Sequence, residues 1–532
     1  MFMHNPKLVL PQLSLRFAVF SCFIFFSAVF FLLVPRLYAE DSDSGGVSGP
    51  KDRRAFEERL TLLAEIPENG RIVGDSVHPR PADGKIAYVY ESEKGLKVCG
   101  DNHCGPYVDR VAKGMPVVSP NGRHVAAVVQ TGGDARVMLG GGLSSAYDMV
   151  YGLRFSPDSM ILAYIAQKDD AFSVYVNQDR HRAFAMVDPN QGIIFSRDSK
   201  SLAYVASKDG KSWHLVKNGE PGEAFEQIKH VTFSPDSSRL VYAARQDGKW
   251  YLVEEEDKGP AYIDIKRIRF SPDSERLVYA ARGDDGAFMV LDGEKSEPFE
   301  YLPGEPVFSR DGKRLAYAVA EERRGNVRMR MVVDGKAGPA FHRIGAYRFS
   351  PDGKQIAYMA VKDDETGMMV HDGEVGDEYR QIGIPIFAPD GSHLAYYAVQ
   401  DGQWFVVKDG EKGPPFVVGE NPVFCPKGER MAYVAQKGDR YVVVEDNEII
   451  GHYDWAGLLA FSPDGKHLAY AAAEDGEAFL MVDGQKGEER FLSFVRGAPL
   501  VFAEGNILQG IALRAFVDGR QEFWLIRAEI DQ

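Results

Sequence analysis

The 532-residue chain contains no Gly-x-Ser-x-Gly, which excludes the nucleophile elbow of an α/β-hydrolase. It lacks any excess of positive charge: 62 Lys and Arg face 77 Asp and Glu, for a formal net charge of −15. Such a surface repels phosphate backbones and anionic headgroups, so neither nucleic acid nor a lipid surface is expected as a partner. Cysteine is scarce, with four residues in the whole chain. No Pro-, Gly- or Ser-rich linker divides the sequence after residue 70. What is plentiful is glycine, at 54 residues, together with 11% aromatics. That combination fits many strands separated by tight turns.

The N-terminus stands apart. Lys7 and Arg16 precede an unbroken apolar run from Phe17 to Val34, followed by Pro35 to Ala39 and the acidic pair Glu40-Asp41. A basic start, an apolar stretch and a small residue before polar sequence read as a secretory signal cleaved after Ala39. The run is also near the length that spans a bilayer, so residues 1–39 read equally as an uncleaved membrane anchor. Both readings export the remainder, to the periplasm or to the outer side of a membrane. Cys22 follows Val19-Phe20-Ser21, a poor lipobox, and the apolar run continues past it, which argues against a lipid-modified cysteine. Residues 1–39 hold three basic side chains and no acidic one, so the exported part is more acidic than the whole.

After residue 70 one signature recurs: Phe-Ser-Pro-Asp-Gly, two polar residues, then Leu-Ala-Tyr. Clear copies begin at Phe155, Phe195, Phe233, Phe270, Phe308, Phe349, Phe387, Phe424 and Phe461. Weaker copies lie at Pro81–Gly84 and Ser119–Gly122, and a degenerate one starts at Phe502. Their spacing of about 40 residues makes about 12 repeats.

Residues 382–418 show how one repeat folds. Ile382–Ala388 reads as a first strand ending in the turn Pro389-Asp390-Gly391. His393–Val399, Gln403–Lys408 and Gly413–Val418 read as the next three strands. Ser-Pro-Asp-Gly suits a type I turn, and Asp409-Gly410 a two-residue hairpin. The second strand, Leu394 to Val399, is apolar on both faces. A sheet with one wet face would alternate, so this sheet lies between two neighbours. Ala203, Ala243, Ala316 and Ala469 let such neighbours approach. A short four-stranded sheet, repeated and buried on both sides, is a propeller blade. A parallel β-helix is the competing architecture, and the regular hairpins speak against it.

The sequence thus predicts an all-β protein, a β-propeller of about 12 four-stranded blades. Propeller rings usually hold four to eight blades. The expectation is therefore two tandem propellers, residues 70–303 and 304–532, divided near Pro303-Gly304, with one large ring as the alternative. The last repeat supplies only three strands. Within the linker at 40–69, Arg59–Ile66 reads either as the strand that closes it or as a short amphipathic helix.

The motif Phe461-Ser-Pro-Asp-Gly-Lys-His-Leu-Ala-Tyr470 resembles the TolB-like propeller repeats of bacteria, relatives of WD-type repeats. The resemblance covers nearly all of the chain after residue 70. It implies four-stranded blades and a family that includes periplasmic envelope proteins that bind partner proteins, and the propeller domains of serine oligopeptidases. The hydrolase domain such peptidases need has no counterpart here.

Few residues invite chemistry. Cys99 and Cys104 flank the turn Asp101-Asn102, where hairpin pairing sets them opposite one another. They read as a disulfide, with free thiols or a metal site including His103 as alternatives. Cys425 replaces the usual turn Ser and reads as a lone buried thiol. His124, His393 and His467 share a repeat position with Arg239, Arg276, Arg314 and Arg430. A position that accepts Arg is not a ligand position. The turn aspartates Asp158, Asp236, Asp273, Asp352, Asp390 and Asp464 are spread one per repeat, unlike a calcium loop. Trp213, Trp250 and Trp404 recur on the third strand and read as packing.

No metal and no cofactor is expected. The functional expectation is a non-catalytic scaffold of the cell envelope that binds another envelope protein, with membrane contact only through an uncleaved N-terminal segment. The face bearing the Arg/His positions and the turns at Asp292, Asp334, Asp372, Asp409 and Asp483 is polar and highly charged, as docking faces often are and as any solvated face is. An enzyme, or a sensor of a small ligand or glycan, working in the channel is the alternative. Mainly apolar inner strands such as Val307-Phe308, Ile386-Phe387 and Val423-Phe424 count against an enzyme. Three or more titratable groups converging on a pocket would overturn the scaffold reading in its favour.

Overall fold

The computed structural model describes residues 56–530, apart from 67–69, 74–75, 81–83, 101–102, 324–325, 364, 505 and 517. The signal or anchor at 1–39 and residues 40–55 lie outside the described residues. The described strands form twelve antiparallel sheets. Where a sheet has five strands, the first strand of the blade is broken in two, as at Gln381–Ile382 and Ile386–Phe387, which both pair with Leu394–Gln400. Blades 1 to 12 run 71–104, 110–143, 149–180, 186–225, 227–262, 264–295, 301–341, 343–379, 381–412, 418–453, 455–486 and 493–530.

Each blade is built by its turns. In blade 11 the Gly465 amide donates to the Ser462 carbonyl at 2.8 Å, closing the expected turn. The buried Ser462 hydroxyl donates to the Asp464 carboxylate and accepts the His467 amide at 3.0 Å. Asp464 in turn accepts the Lys466 amide at 3.1 Å. Strands three and four meet in turns such as Asp292-Gly293, with φ of +51° and +86°, the two left-handed residues a type I′ hairpin requires.

The doubly apolar second strand is buried throughout its centre: Ala395 and Ala398 are fully covered, and Leu394 and Tyr396 nearly so. An unexpected wedge accompanies it. In most blades the aromatic at the end of the fourth strand packs on the tyrosine of the next blade's second strand. Examples are Phe225 on Tyr242, Phe341 on Tyr358 and Tyr379 on Tyr396, with centroids 6.1–6.4 Å apart and edge-to-face rings.

The division into two propellers at Pro303-Gly304 is wrong. The chain forms one ring of twelve blades. Twelve separate apolar clusters join successive blades, whereas an open row of twelve would have one fewer. One cluster crosses the supposed boundary, packing Val278 and Met289 of blade 6 against Leu302, Leu315 and Val319 of blade 7. Another joins the chain ends: Ile66, Phe523 and Leu525 of blade 12 pack on Ile86 and Tyr88 of blade 1. The segment Phe56–Ile66 is a strand and not a helix. It pairs antiparallel with Gln521–Ile530, from Phe56 opposite Ile530 to Ile66 opposite Gln521. Blade 12 is therefore built from both ends of the described chain.

Candidate functional site

Blades converge on their first strands. The Tyr151 hydroxyl donates to the Val187 carbonyl at 2.9 Å, and Arg154 to the Ile193 carbonyl at 3.1 Å, each from one blade's first strand to the next. Fourth strands such as Glu220–Phe225 and Glu374–Tyr379 are exposed along most of their length. The first strands therefore line the inner wall of the ring.

That wall is not uniformly apolar. On blades 5 to 7 it carries Lys229, His230, Lys266, Arg267, Arg269 and Glu305. This corrects the expectation drawn from Val307-Phe308, Ile386-Phe387 and Val423-Phe424, where the phenylalanines face inter-blade packing. A cavity of about 600 Å³ opens among His230, Thr232, Lys266, Arg267, Arg269 and Glu305. Phe233, Ile268 and Phe270 give it an apolar side.

Bulges in the first strands of blades 5 and 6 place the groups of those two blades. In blade 5 the pairing with the second strand shifts between Lys229 and Thr232, and in blade 6 between Lys266 and Arg269. His230 and Arg267 sit in the bulges at φ of +57° and +55°, where blade 3 has Gly152 at +65°. Bulges of this kind turn a side chain out of the alternating pattern, and His230 and Arg267 both border the cavity.

The charges are partly paired. Lys229 bonds to Asp264 at 2.6 Å and lies 3.9 Å over the Trp250 ring; Lys266 reaches the same carboxylate at 2.8 Å. Burial works against ionisation of Asp264, but the two lysines outweigh it and hold the carboxyl below its usual range. Arg267 bonds to Glu305 at 3.2 Å and to the Pro303 carbonyl at 3.0 Å, and Arg269 bonds to Glu305 at 3.3 Å. Burial, then the neighbouring Lys229, lowers the pKa of His230 and so favours its neutral ring. Five titratable groups, His230, Lys266, Arg267, Arg269 and Glu305, do converge on a pocket, which meets the mark set for an enzyme, but they form a cation-rich recess. Glu305 is engaged by two guanidiniums, and the Thr232 hydroxyl is turned to the Phe233 carbonyl at 3.3 Å. The arrangement suits holding an anion better than activating a nucleophile.

The other singled-out residues serve the fold. Cys99 and Cys104 are bonded, with α-carbons 4.1 Å apart in the opposed pairing of the hairpin. Cys425 is buried and free, and its sulfur accepts the Arg430 amide as a turn serine would. The Arg/His row staples blades. Arg276 bonds Asp292 at 3.2 Å and the Lys313 carbonyl of the next blade at 3.1 Å. Arg430 bonds Glu445 at 2.8 Å and the Gly465 carbonyl of the next blade at 2.9 Å. His467 pairs with Asp483 at 2.6 Å, and His124 stacks on Phe155 of blade 3. The hairpin aspartates also cap amides, as Asp334 does for Leu315 at 2.9 Å. The charged face is thus largely paired with itself. Trp250 is buried, and Trp213 and Trp404 pack against core clusters. Among the described residues, no three His, Cys, Asp or Glu side chains gather as a metal site.

The opposite face differs. It carries the links from each fourth strand to the next first strand, and seven exposed apolar residues fall one or two places after the wedge aromatic. These are Met149, Met186, Ile263, Tyr301, Val417, Val418 and Leu492, between 38% and 57% exposed. Nothing in the repeat motif announces them, because the linking positions vary freely between copies.

No protein-family model and no curated protein sequence matches the chain. Among solved structures, the chain is similar to a eukaryotic initiation factor at 12% identity and a TM-score of 0.35, covering 69% of this chain and 96% of that one. It is similar to a putative TolB from Agrobacterium tumefaciens at 14% identity and 0.21, covering 37% and 84%. The hydrazine synthase of Kuenenia stuttgartiensis matches at 14% and 0.22, covering 54% and 94%. The propeller assignment rests on the sheets and their closure, not on these distant likenesses.

Proposed function

We propose that the protein is an exported, non-catalytic scaffold of the cell envelope, built from TolB-like repeats, that docks another envelope protein across one face of its ring. The observation that carries this reading is that seven exposed apolar residues, from six of the twelve links, fall on the linking face. Large apolar side chains left exposed at equivalent places on one face are available for contact with a protein. The Cys99–Cys104 bond fits an oxidising compartment, as does an exporting leader. Membrane contact runs only through residues 1–39 where they are retained.

The test is photo-crosslinking in cells. A crosslinking residue is placed at Met149 or Met186, and in a control at Met160, which is 71% exposed beside a turn on the other face. The expected result is one envelope protein captured from Met149 and Met186 and absent from Met160. Equal capture from all three positions, or none from any, sinks the reading.

A further inference from the structure

We infer that the inner wall of blades 5 to 7 holds a binding site for a small organic oxyanion, a carboxylate or phosphate borne on an apolar or aromatic body. Charge is the first argument. Across the first strands of blades 5 to 8 the basic residues are Lys229, Lys266, Arg267, Arg269, Arg343 and Arg348, against only Asp264 and Glu305. The whole chain has the opposite balance, at −15. A local positive recess in an acidic molecule draws small anions to that one place.

Geometry is the second argument. The 600 Å³ cavity is of ligand size, and Phe233 and Phe270 border it beside the cations. Arg267 is fixed in place by the Pro303 carbonyl, so its guanidinium is presented without a fresh ordering cost. The backbone is strained to do this. Left-handed φ at a histidine and an arginine costs free energy that Gly152 avoids at the same place in blade 3. Leu458 of blade 11 shares the conformation, at +58°, so the bulge belongs to the repeat. What is particular to blades 5 and 6 is that it presents His230 and Arg267 to a cavity. Glu305 already shows the recognition, since Arg267 and Arg269 grip its carboxylate from the neighbouring blade. An entering oxyanion takes the place of that carboxylate, while Lys266, whose side chain is 60% exposed, turns from Asp264 toward the ligand.

This site is independent of the docking face, and its test does not involve a partner. Full-length protein is titrated calorimetrically with isophthalate, phenyl phosphate and, as the neutral counterpart, benzyl alcohol. Binding of one or both anions tighter than about 1 mM, without binding of benzyl alcohol, is expected. The stronger anion identifies the headgroup. Lys266→Gln with Arg269→Gln should weaken binding about tenfold or more, the worth of lost charged hydrogen bonds. Glu305→Gln should tighten it about two- to fivefold, by removing an exposed competing ion pair. The opposite signs separate loss of the site from loss of the fold, which thermal unfolding of each variant checks. Failure of both anions to bind, equal binding of benzyl alcohol, or unchanged affinity in the variants overturns the proposal.

Discussion

The Ser199 hydroxyl accepts a hydrogen bond from the Asp158 backbone amide at 2.9 Å, tying the turn of blade 4 to the turn of blade 3. The same latch joins Ser159 to Asn121, Ser237 to Asp198 and Ser274 to Asp236. All four serines hold left-handed φ, from +63° to +70°, in the place where other copies of the motif have glycine. From blade 7 to blade 11 the residue is Gly, and at Gly312 and Gly428 the preceding turn crowds it. A Cβ on Gly312 would lie within 2.6 Å of the Asp273 carboxylate oxygens. Two solutions to one backbone problem thus divide the ring.

The serine latches contribute stability that outweighs their strain. Ser199→Ala keeps the left-handed backbone cost and loses the bond, and should destabilise the ring by about 1 kcal/mol. Ser199→Gly loses the bond but relieves the strain, and should cost less. Denaturant unfolding of the two variants checks the order; a reversed order removes the latch from the account.

Gly312→Ala should be more damaging than either. The left-handed φ of +75° and the adjacent Asp273 carboxylate both oppose a side chain, and about 1–3 kcal/mol is expected. Asp273→Ala combined with Gly312→Ala should recover part of the loss, measured as a double-mutant cycle.

Ring closure depends on the paired chain ends. Ile66 is fully buried between blades 12 and 1, so Ile66→Ala should cost about 2–5 kcal/mol. Limited proteolysis should then cut first near residues 56–66. A variant that unfolds no earlier than the wild type would show that the ring holds without this strand.

Reducing Cys99–Cys104 should matter little by comparison. The bridge closes a loop with a sequence separation of 5. Chain entropy then limits its contribution to about 2 kcal/mol. Thermal unfolding with and without reductant measures it.

Acid should loosen the turns together. Hydrogen bonds from the turn serines, then from backbone amides, hold the Asp236, Asp352 and Asp464 carboxyls down at about 2, against 3.8 ordinarily. In this range the unfolded chain binds more protons than the folded one, so stability rises with pH. The contribution is present in full above pH 4 and is lost as pH falls toward 2. Melting temperature measured from pH 6 to pH 2 should hold level with respect to these groups and then fall below about pH 4.

The blade itself was legible in the sequence. Ser-Pro-Asp-Gly fixes a turn through its own side chains, and an alternation that fails in Leu394–Val399 reports burial on two sides. Both are local statements. The opposed cysteines were legible for the same reason, because a two-residue turn dictates which residues face each other across a hairpin. The wedge aromatics were present in most copies but carried no signal by themselves, since a phenylalanine before a link looks like any core residue until its partner tyrosine is known.

The number of blades in the ring was not legible. The repeat determined that blades exist, that there are about twelve, and that their edges need a closing strand. Whether they close after six or after twelve depends on the small angle between neighbouring sheets. That angle is set by side chains packing over both faces of every blade, and no single repeat encodes it. The basic recess has the same origin. Lys229, His230, Lys266, Arg267 and Glu305 come from three repeats and stand at variable positions, so only the convergence of three first strands on one wall brings them together.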